Sequence, residues 1–463
     1  MSSTTMSKVQ DNERRKPIDG QTNDPNEAQT VPHLVFPVTA KAGDHPAIHR
    51  FLTSIFHGPS SAEFHAQQEE PFCEPTDRIL IRSQDRILSH VRMTRREMHF
   101  GDAVLPIAGV HDLATQPEFR RQGLASRLVE EVEHRMMHDG GIVSFVRTIE
   151  PRLFSKRGWA VCGRHGYGEA SARDILSCLS ARRAGVPDRP ATTFDQPKPQ
   201  PINIRLWRHV EQAALMRLYK AQVAGQFGPI VRTDSYWRWL ISRRGYDRIY
   251  IAIEGPDKFE LDDTLDPIIG YAVVKDSCIV ELVAAPERQD AISPLLERAC
   301  GDSIERDYHR VRIMAPPNHS LYELAEQAGG KYHYHEAEQG ELFMAKVLDW
   351  PTLFQHVGKQ LQRRAKAARL DLPTELGFQI GDERYRFAMT KRSHRLLDGK
   401  AGRSYLICGR KELTQIVLGH ISAAEAIASG KVEVSTRVAA DIASALFPAL
   451  PLWRPPLDEL TAE

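Results

Sequence analysis

The segment with the clearest chemical content is GVHDLATQPEFRRQGLASRLVEEVEHRMMHDGG, Gly109 to Gly141. Between Arg120 and Val129 it holds three arginines and no acid, with Gly123 and the small Ala125 among them. Glycine lets the backbone approach a ligand closely. The first N–H groups of a helix have no partner within it, and they carry the positive end of its dipole. An anion docks there readily, so Arg120-x-x-Gly123-x-Ala125 at a helix start predicts a cradle for a diphosphate.

The elements that must position this cradle follow from the flanking pattern. An apolar strand, Val110 to Thr115, leads into a short loop with Pro117. A helix then shows Leu124, Leu128, Val132 and Met136 at every fourth position until Gly140-Gly141 stop it. A second strand follows over Ile142 to Arg147. At about 150 residues per domain, the 463 residues suggest three domains. The polar stretch 1–32 reads as a disordered tail, because it has too little apolar surface to offset ordering entropy. An α/β unit is expected over 33–183, a proline-rich linker over 184–201, a second unit of similar element order over 202–348, and an α+β domain over 349–463.

Composition excludes several classes. With 61 Lys plus Arg against 60 Asp plus Glu, no global field draws the chain to nucleic acid or an anionic membrane, and any such role would need a local patch. No run of about 18 apolar residues predicts a membrane span, and the start lacks a signal-peptide pattern, so a cytoplasmic location is expected. The six cysteines include no C-x-x-C pair, which predicts thiols and no metal site. The aromatic cluster Tyr236, Trp237 and Trp239 reads as a core helix with a charged outer face.

With a strand, the R-x-x-G-x-A loop and a later LFSKRGW in order, the N-terminal unit resembles the GCN5-related N-acetyltransferase (GNAT) superfamily. Along the whole chain, RRQGLASRL after LATQP, IEPRLFSKRGWAVCGRHGYG (Ile149 to Gly168) and LFPALPLW (Leu446 to Trp453) resemble the Eis family of enhanced-intracellular-survival type N-acetyltransferases. The resemblance implies an α+β fold: two tandem GNAT-type mixed-sheet units followed by a sterol-carrier-protein-like domain. It implies acetyl-CoA as co-substrate, without a metal, and transfer of an acetyl group to a primary amine of a small molecule or a lysine side chain. Coenzyme contacts fall on Leu113, Ala114, Thr115, Arg121, Gln122, Gly123, Leu124, Ala125, Ser126, Ile149 and Glu150, beside Arg120 of the cradle. The segment LVAAPERQDAISPLL of the second unit has no such loop, so no coenzyme is expected there. A closed homo-oligomer, often a hexamer in that family, is also implied, with neither nucleic acid nor membrane as partner.

Acetyl transfer to an amine needs a proton acceptor, and the departing thiolate is helped by a donor. The family's tyrosine donor corresponds to Phe154, which has no exchangeable proton; Ser155, Tyr167 or water could take its place. By period-2 alternation, residues 109, 111 and 113 share one strand face, which makes His111 a candidate base and turns Asp112 away. The family also uses a terminal carboxylate as base, here Glu463, with Asp458 and Glu459 as neighbours. Departure from the tyrosine pattern leaves a second reading open, a catalytically weak acyl-CoA-binding regulatory or scaffold protein.

Overall fold

The computed structural model describes residues 36–163, 166–184, 200–255, 267–334 and 342–460. The tail 1–32, nearly all of the proline-rich stretch and Glu463 lie outside the described residues.

The first sheet is laid down by β1 (Val38–Thr39), β2 (Arg78–Ser83), β3 (Arg86–Phe100), β4 (Ala103–Thr115) and β5 (Val143–Thr148), neighbours in that order. Helices α1 (His45–Phe56) and α2 (Ser61–Gln68) lie between β1 and β2, α3 (Leu124–His138) joins β4 to β5, and α4 (Pro151–Ser155) follows β5. The β4–β5 pair is parallel, as a helical crossover requires, and β1 to β4 are antiparallel. The four-residue spacing on α3 buries Leu124, Leu128, Val132 and Met136 against Val91, Met93, Ala108, Val110 and Val146 of the sheet. Gly140, at φ 83°, ends that helix.

Alternation places Arg92, Thr94, Arg96 and Met98 of β3 and Ile107, Gly109 and His111 of β4 on the opposite face. The alternation does not persist to the strand end. His90 pairs with Ala114 and Arg92 with His111, so Asp112 and Leu113 together face Val91, and Asp112 has φ 52°. This is a β-bulge. It corrects the expectation for this strand: Leu113 packs beneath α3, away from Gly109 and His111, while the Asp112 carboxylate turns to Arg92 on the His111 side. The extra residue shifts the period by one.

The second sheet repeats the topology, in the order Ile202–Leu206, Arg248–Glu254, Ile268–Lys275, Cys278–Ala284, Arg310–Ile313, Gly166–Ser171, Lys331–Tyr334. The two sheets exchange strands. Gly166–Ser171, which precedes the proline-rich stretch, lies in the second sheet between Arg310–Ile313 and Lys331–Tyr334. Leu342–Val347, from the end of the second unit, lies in the first between β5 and Ala160–Val161. A third sheet of five strands runs His394–Asp398, Glu383–Met389, Thr374–Ile380, Tyr405–Ile407, Glu433–Val434, and packs on the long helix Trp350–Ala367. Beyond helix Arg437–Leu446, the final segment returns to the other units: the Trp453 N–H donates to the Phe227 carbonyl at 2.9 Å. Gly228, at φ 111°, allows this approach, because a side chain there would collide with the Trp453 backbone.

Candidate active site

The parallel rungs between β4 and β5 end at Val110 opposite Val146. Past them β4 continues through His111 to Thr115, while Arg147 and Thr148 of β5 pair only with Phe343 and Leu342 on the other side. Backbone groups of β4 thereby face a gap into which an extended amide chain could insert as a strand does. The gap opens onto the start of α3. Gly123, at φ 82°, precedes the helix without a side-chain cap, and nothing lies within 4 Å of where a side chain would sit. The first helical bond runs from Arg127 N–H to the Gly123 carbonyl, so the amides of Leu124, Ala125 and Ser126 precede it. Arg120 and Arg121 are exposed beside them, and the Arg120 Nε donates to the Thr115 carbonyl at 3.2 Å, which ties the loop to the strand end. An open, basic, amide-lined concavity at the end of a split fits a diphosphate followed by a slender amide arm.

The other predicted contacts take distinct places. The Ala114 carbonyl and the Thr115 hydroxyl are bonded to Ser89 Oγ, each at 2.8 Å, so these residues fix the strand end through their neighbours. Ile149 is 77% exposed and Glu150 is exposed; both flank the far side of the split at the end of β5.

On the face opposite α3 lies a network of buried charges that the sequence reading did not find. Glu70, just after α2, takes Arg96 at 2.5 Å and Arg92 at 3.3 Å; Arg92 also donates to Asp112 at 3.0 Å. Arg78 bonds Gln67 at 2.8 Å and lies 3.6 Å from Asp112. Burial alone would raise the two carboxyls, but the guanidiniums outweigh it, Arg96 and Arg92 at Glu70, Arg92 and Arg78 at Asp112, whose pKa falls to about 2. His111 stands among these groups with its Nε2 3.1 Å from Thr94 Oγ1. Burial first, then Arg92 and Arg96, bring its pKa down to about 3. The imidazole is thus neutral at pH 7 but a weak proton acceptor. Gly109 is required beside it, since a Cβ would stand 2.5 Å from His111 Nε2 and 2.6 Å from Thr94 Oγ1.

The C-terminal segment closes over the same face. Arg232 makes a bidentate pair with Glu281 (2.7 and 3.0 Å) and a second pair with Asp458 (2.9 and 3.0 Å), all fully buried, while Tyr271 donates to Glu281 at 2.5 Å. Asp458 is consumed in this triad. Glu459 instead reaches Arg147 of β5 at 2.7 Å, at the edge of the split. Arg454 lies against the stacked pair of Phe145 and Phe343, its guanidinium carbon 5.1 and 5.2 Å from the two ring centroids. Asp458 and Glu459 lie more than two hundred positions from Arg232 and Arg147, and no local pattern announces these pairs.

Phe154 is buried, 2% exposed, in the apolar cluster between α3 and the sheet, edge-on to Trp159 at 5.3 Å. Ser155, next to it in α4, is half-buried. Tyr167 is on the exchanged strand, stacked on His333 at 4.9 Å within the second sheet. The structure brings His111, Asp112, Arg147 and Glu459 to one side of the split and keeps Phe154 on the other. In the second unit, strands Cys278–Ala284 and Arg310–Ile313 also part after two rungs. The helix there starts without a glycine, and Arg288 is neutralised by Asp290 at 3.0 Å and Glu254 at 2.6 Å. The split recurs without the cradle.

Residues 38–162 match the acetyltransferase (GNAT) domain family. The match covers the N-terminal unit with its split and cradle, and GNAT acetyltransferases as a class take an acyl-CoA as co-substrate. Over the full length, the three-sheet fold is that of Eis1 from Mycobacterium abscessus, at 15% identity and TM-score 0.59, covering 91% of this chain and 99% of that one. It is equally that of GCN5-related N-acetyltransferases from Kribbella flavida (15%, TM-score 0.66, covering 91% and 97%) and Anabaena variabilis (14%, TM-score 0.67, covering 91% and 99%). No curated protein matches the chain by sequence. Among the described residues, no helix is long and apolar enough to cross a membrane, and no group of three or more His, Cys, Asp or Glu side chains could hold a metal ion.

Proposed function

We propose that the protein transfers the acetyl group of acetyl-CoA directly to a primary amine, of a small molecule or a lysine side chain, within a ternary complex. The observation that carries this reading is the β4–β5 split ending at the glycine-capped start of α3, present in the first unit and reproduced without its cradle in the second. Residues 120–126 hold the diphosphate, Leu113 to Thr115 with Ile149 and Glu150 line the arm, and the amine enters from the face of His111 and Glu459. The nucleophile must reach the thioester unprotonated. Glu459, partly exposed beside Arg147, is the described carboxylate best placed to take its proton directly or through water, since Asp458 is locked by Arg232 and His111 is a weak proton acceptor. The resemblance adds the carboxylate of Glu463, which lies outside the described residues. The thiolate leaves without a side-chain acid at position 154. A closed homo-oligomer in the cytoplasm, acting on neither nucleic acid nor membrane, completes the proposal.

The test is thiol release from acetyl-CoA with a panel of amines, alongside calorimetry with coenzyme A. Release that depends on both substrates supports the enzyme reading. Coenzyme binding with no release across the panel would favour the acyl-CoA-binding regulator instead.

A further inference from the structure

The acceptor face contains a group of buried donors with nothing to donate to. Tyr236 Oη, Arg243 Nε, and both Nε and Nη2 of Arg454 have no hydrogen-bond partner among the described residues. Tyr236 is 5% exposed, Arg454 7% and Arg243 9%. Leaving buried polar groups unpaired is costly, so such a cluster marks a place where a partner belongs. The groups are neighbours: Arg96 stacks over the Tyr236 ring at 5.4 Å, Arg243 donates to the Leu457 carbonyl at 2.7 Å, and Tyr236 and Arg96 lie within electrostatic reach of both Arg243 and Arg454. The nearest acid to Arg454 is Glu459 at 3.7 Å, beyond hydrogen-bond reach. Burial pulls down the pKa of both Arg243 and Arg454, with Arg96 adding repulsion, so their charges are under-compensated. Arg92, Arg96 and Arg232, each paired with acids, are shifted upward.

The unpaired atoms of Arg454 and Arg243 can only donate and the Tyr236 hydroxyl can donate as well, while Glu459, the acid at hand, is turned to Arg147 at 2.7 Å; the missing partner is an acceptor. Nε and Nη2 form one edge of the guanidinium fork, whose geometry matches a carboxylate bidentately. A carboxylate has about four lone-pair sites, which the fork, Arg243 Nε and Tyr236 Oη would fill. Phe145, under Arg454, pairs with Gly109 one rung before the split opens. An oxyanion bound here therefore lies beside the reacting centre.

Resting on the acetyltransferase reading above, we propose that the acceptor is an amine that also carries a carboxylate, an amino-acid-like molecule, held by Arg454, Arg243 and Tyr236 with its amine toward the split. A polycationic amine would place like charge against Arg454 and Arg243, at a cost.

The experiment compares kcat/KM in thiol release for glycine, β-alanine and lysine, for the carboxamide of each, and for spermidine. The best acid is expected to exceed its own amide by about 10- to 100-fold, the worth of charge-assisted hydrogen bonds, with spermidine poorest. Arg454→Met and Tyr236→Phe are each expected to cut that ratio to a few-fold through KM, and coenzyme A affinity measured on the same samples reports their folding. A chain stopped after Leu460, which also lacks Glu463, is compared by binding of glycine and its carboxamide and should prefer the acid no more strongly than the full chain does; an acid preference that appears only after truncation would assign the donors to the protein's own last residues and overturn the proposal. Equal rates for acids and amides, or a preference for spermidine, would overturn it and leave acetyl transfer standing. Silence across the whole panel would overturn acetyl transfer as well.

Discussion

His90 and His111 share a charge network in which neither can be protonated near neutrality. For His90, fully buried with its Nδ1 2.8 Å from the Asp112 carbonyl, burial and then Arg78 bring the pKa to about 3. An unfolded histidine titrates near 6.5, so between those values the unfolded chain binds more protons and stability falls as pH drops. The slope for one such ring is up to about 1.4 kcal/mol per pH unit. His90→Gln is expected to flatten the acid limb of stability between pH 6.5 and 4 in urea unfolding, and an unchanged limb would count against a neutral His90. Phe154→Tyr places a hydroxyl in the apolar cluster against Trp159. It should cost about 1–3 kcal/mol if no partner is found. A rise in turnover without loss of stability would instead show that the hydroxyl reaches the split.

Among the elements, α3 and the loop before it decide coenzyme binding. Gly123→Val puts a β-branched side chain at φ 82°, where it is strained, and into the open space of the cradle. Calorimetry is expected to show no coenzyme A binding, with the stability loss limited to about 1–2 kcal/mol. The exposed Arg121 acts through its charge, so Arg121→Ala should weaken binding more at low salt than at high. This element was legible in the sequence because its signals are local: a four-residue apolar period, a glycine at the start, glycines at the end. The Trp-rich helix Asp234–Ser242 was legible for the same reason, and Tyr236, Trp237 and Trp239 are indeed buried. The bulge at Asp112 was not, since nothing in GVHDLAT announces an extra residue and strict alternation gives the wrong side for 112 and 113. The Glu70 network and the Arg232 triad join residues far apart in the chain, and such pairings leave no local trace.

At the scale of the whole molecule, one coenzyme A per chain is expected, because only the first split has a cradle; two in calorimetry would refute this. Sedimentation should show a closed oligomer at micromolar concentration, and a strict monomer would count against that proposal. The exchanged strands set a stricter condition. Without Leu342–Val347, β5 would become an open edge, and α3 would lose the 2.8 Å pair of Lys346 with Glu133, which also accepts the Trp159 indole at 2.7 Å. A chain ending at residue 184 is expected to be insoluble, since an unpaired edge strand templates aggregation. A protease site inserted between Ala184 and Gln200 should, after cleavage, leave two fragments that migrate as one particle and still bind coenzyme A. Each half thus behaves as a subunit that the other needs to close its sheet, although one covalent chain joins them. A unit with no cradle still serves the first through the β-strand it lends, and changes confined to its own cleft should leave that loan, and coenzyme binding in the first unit, intact.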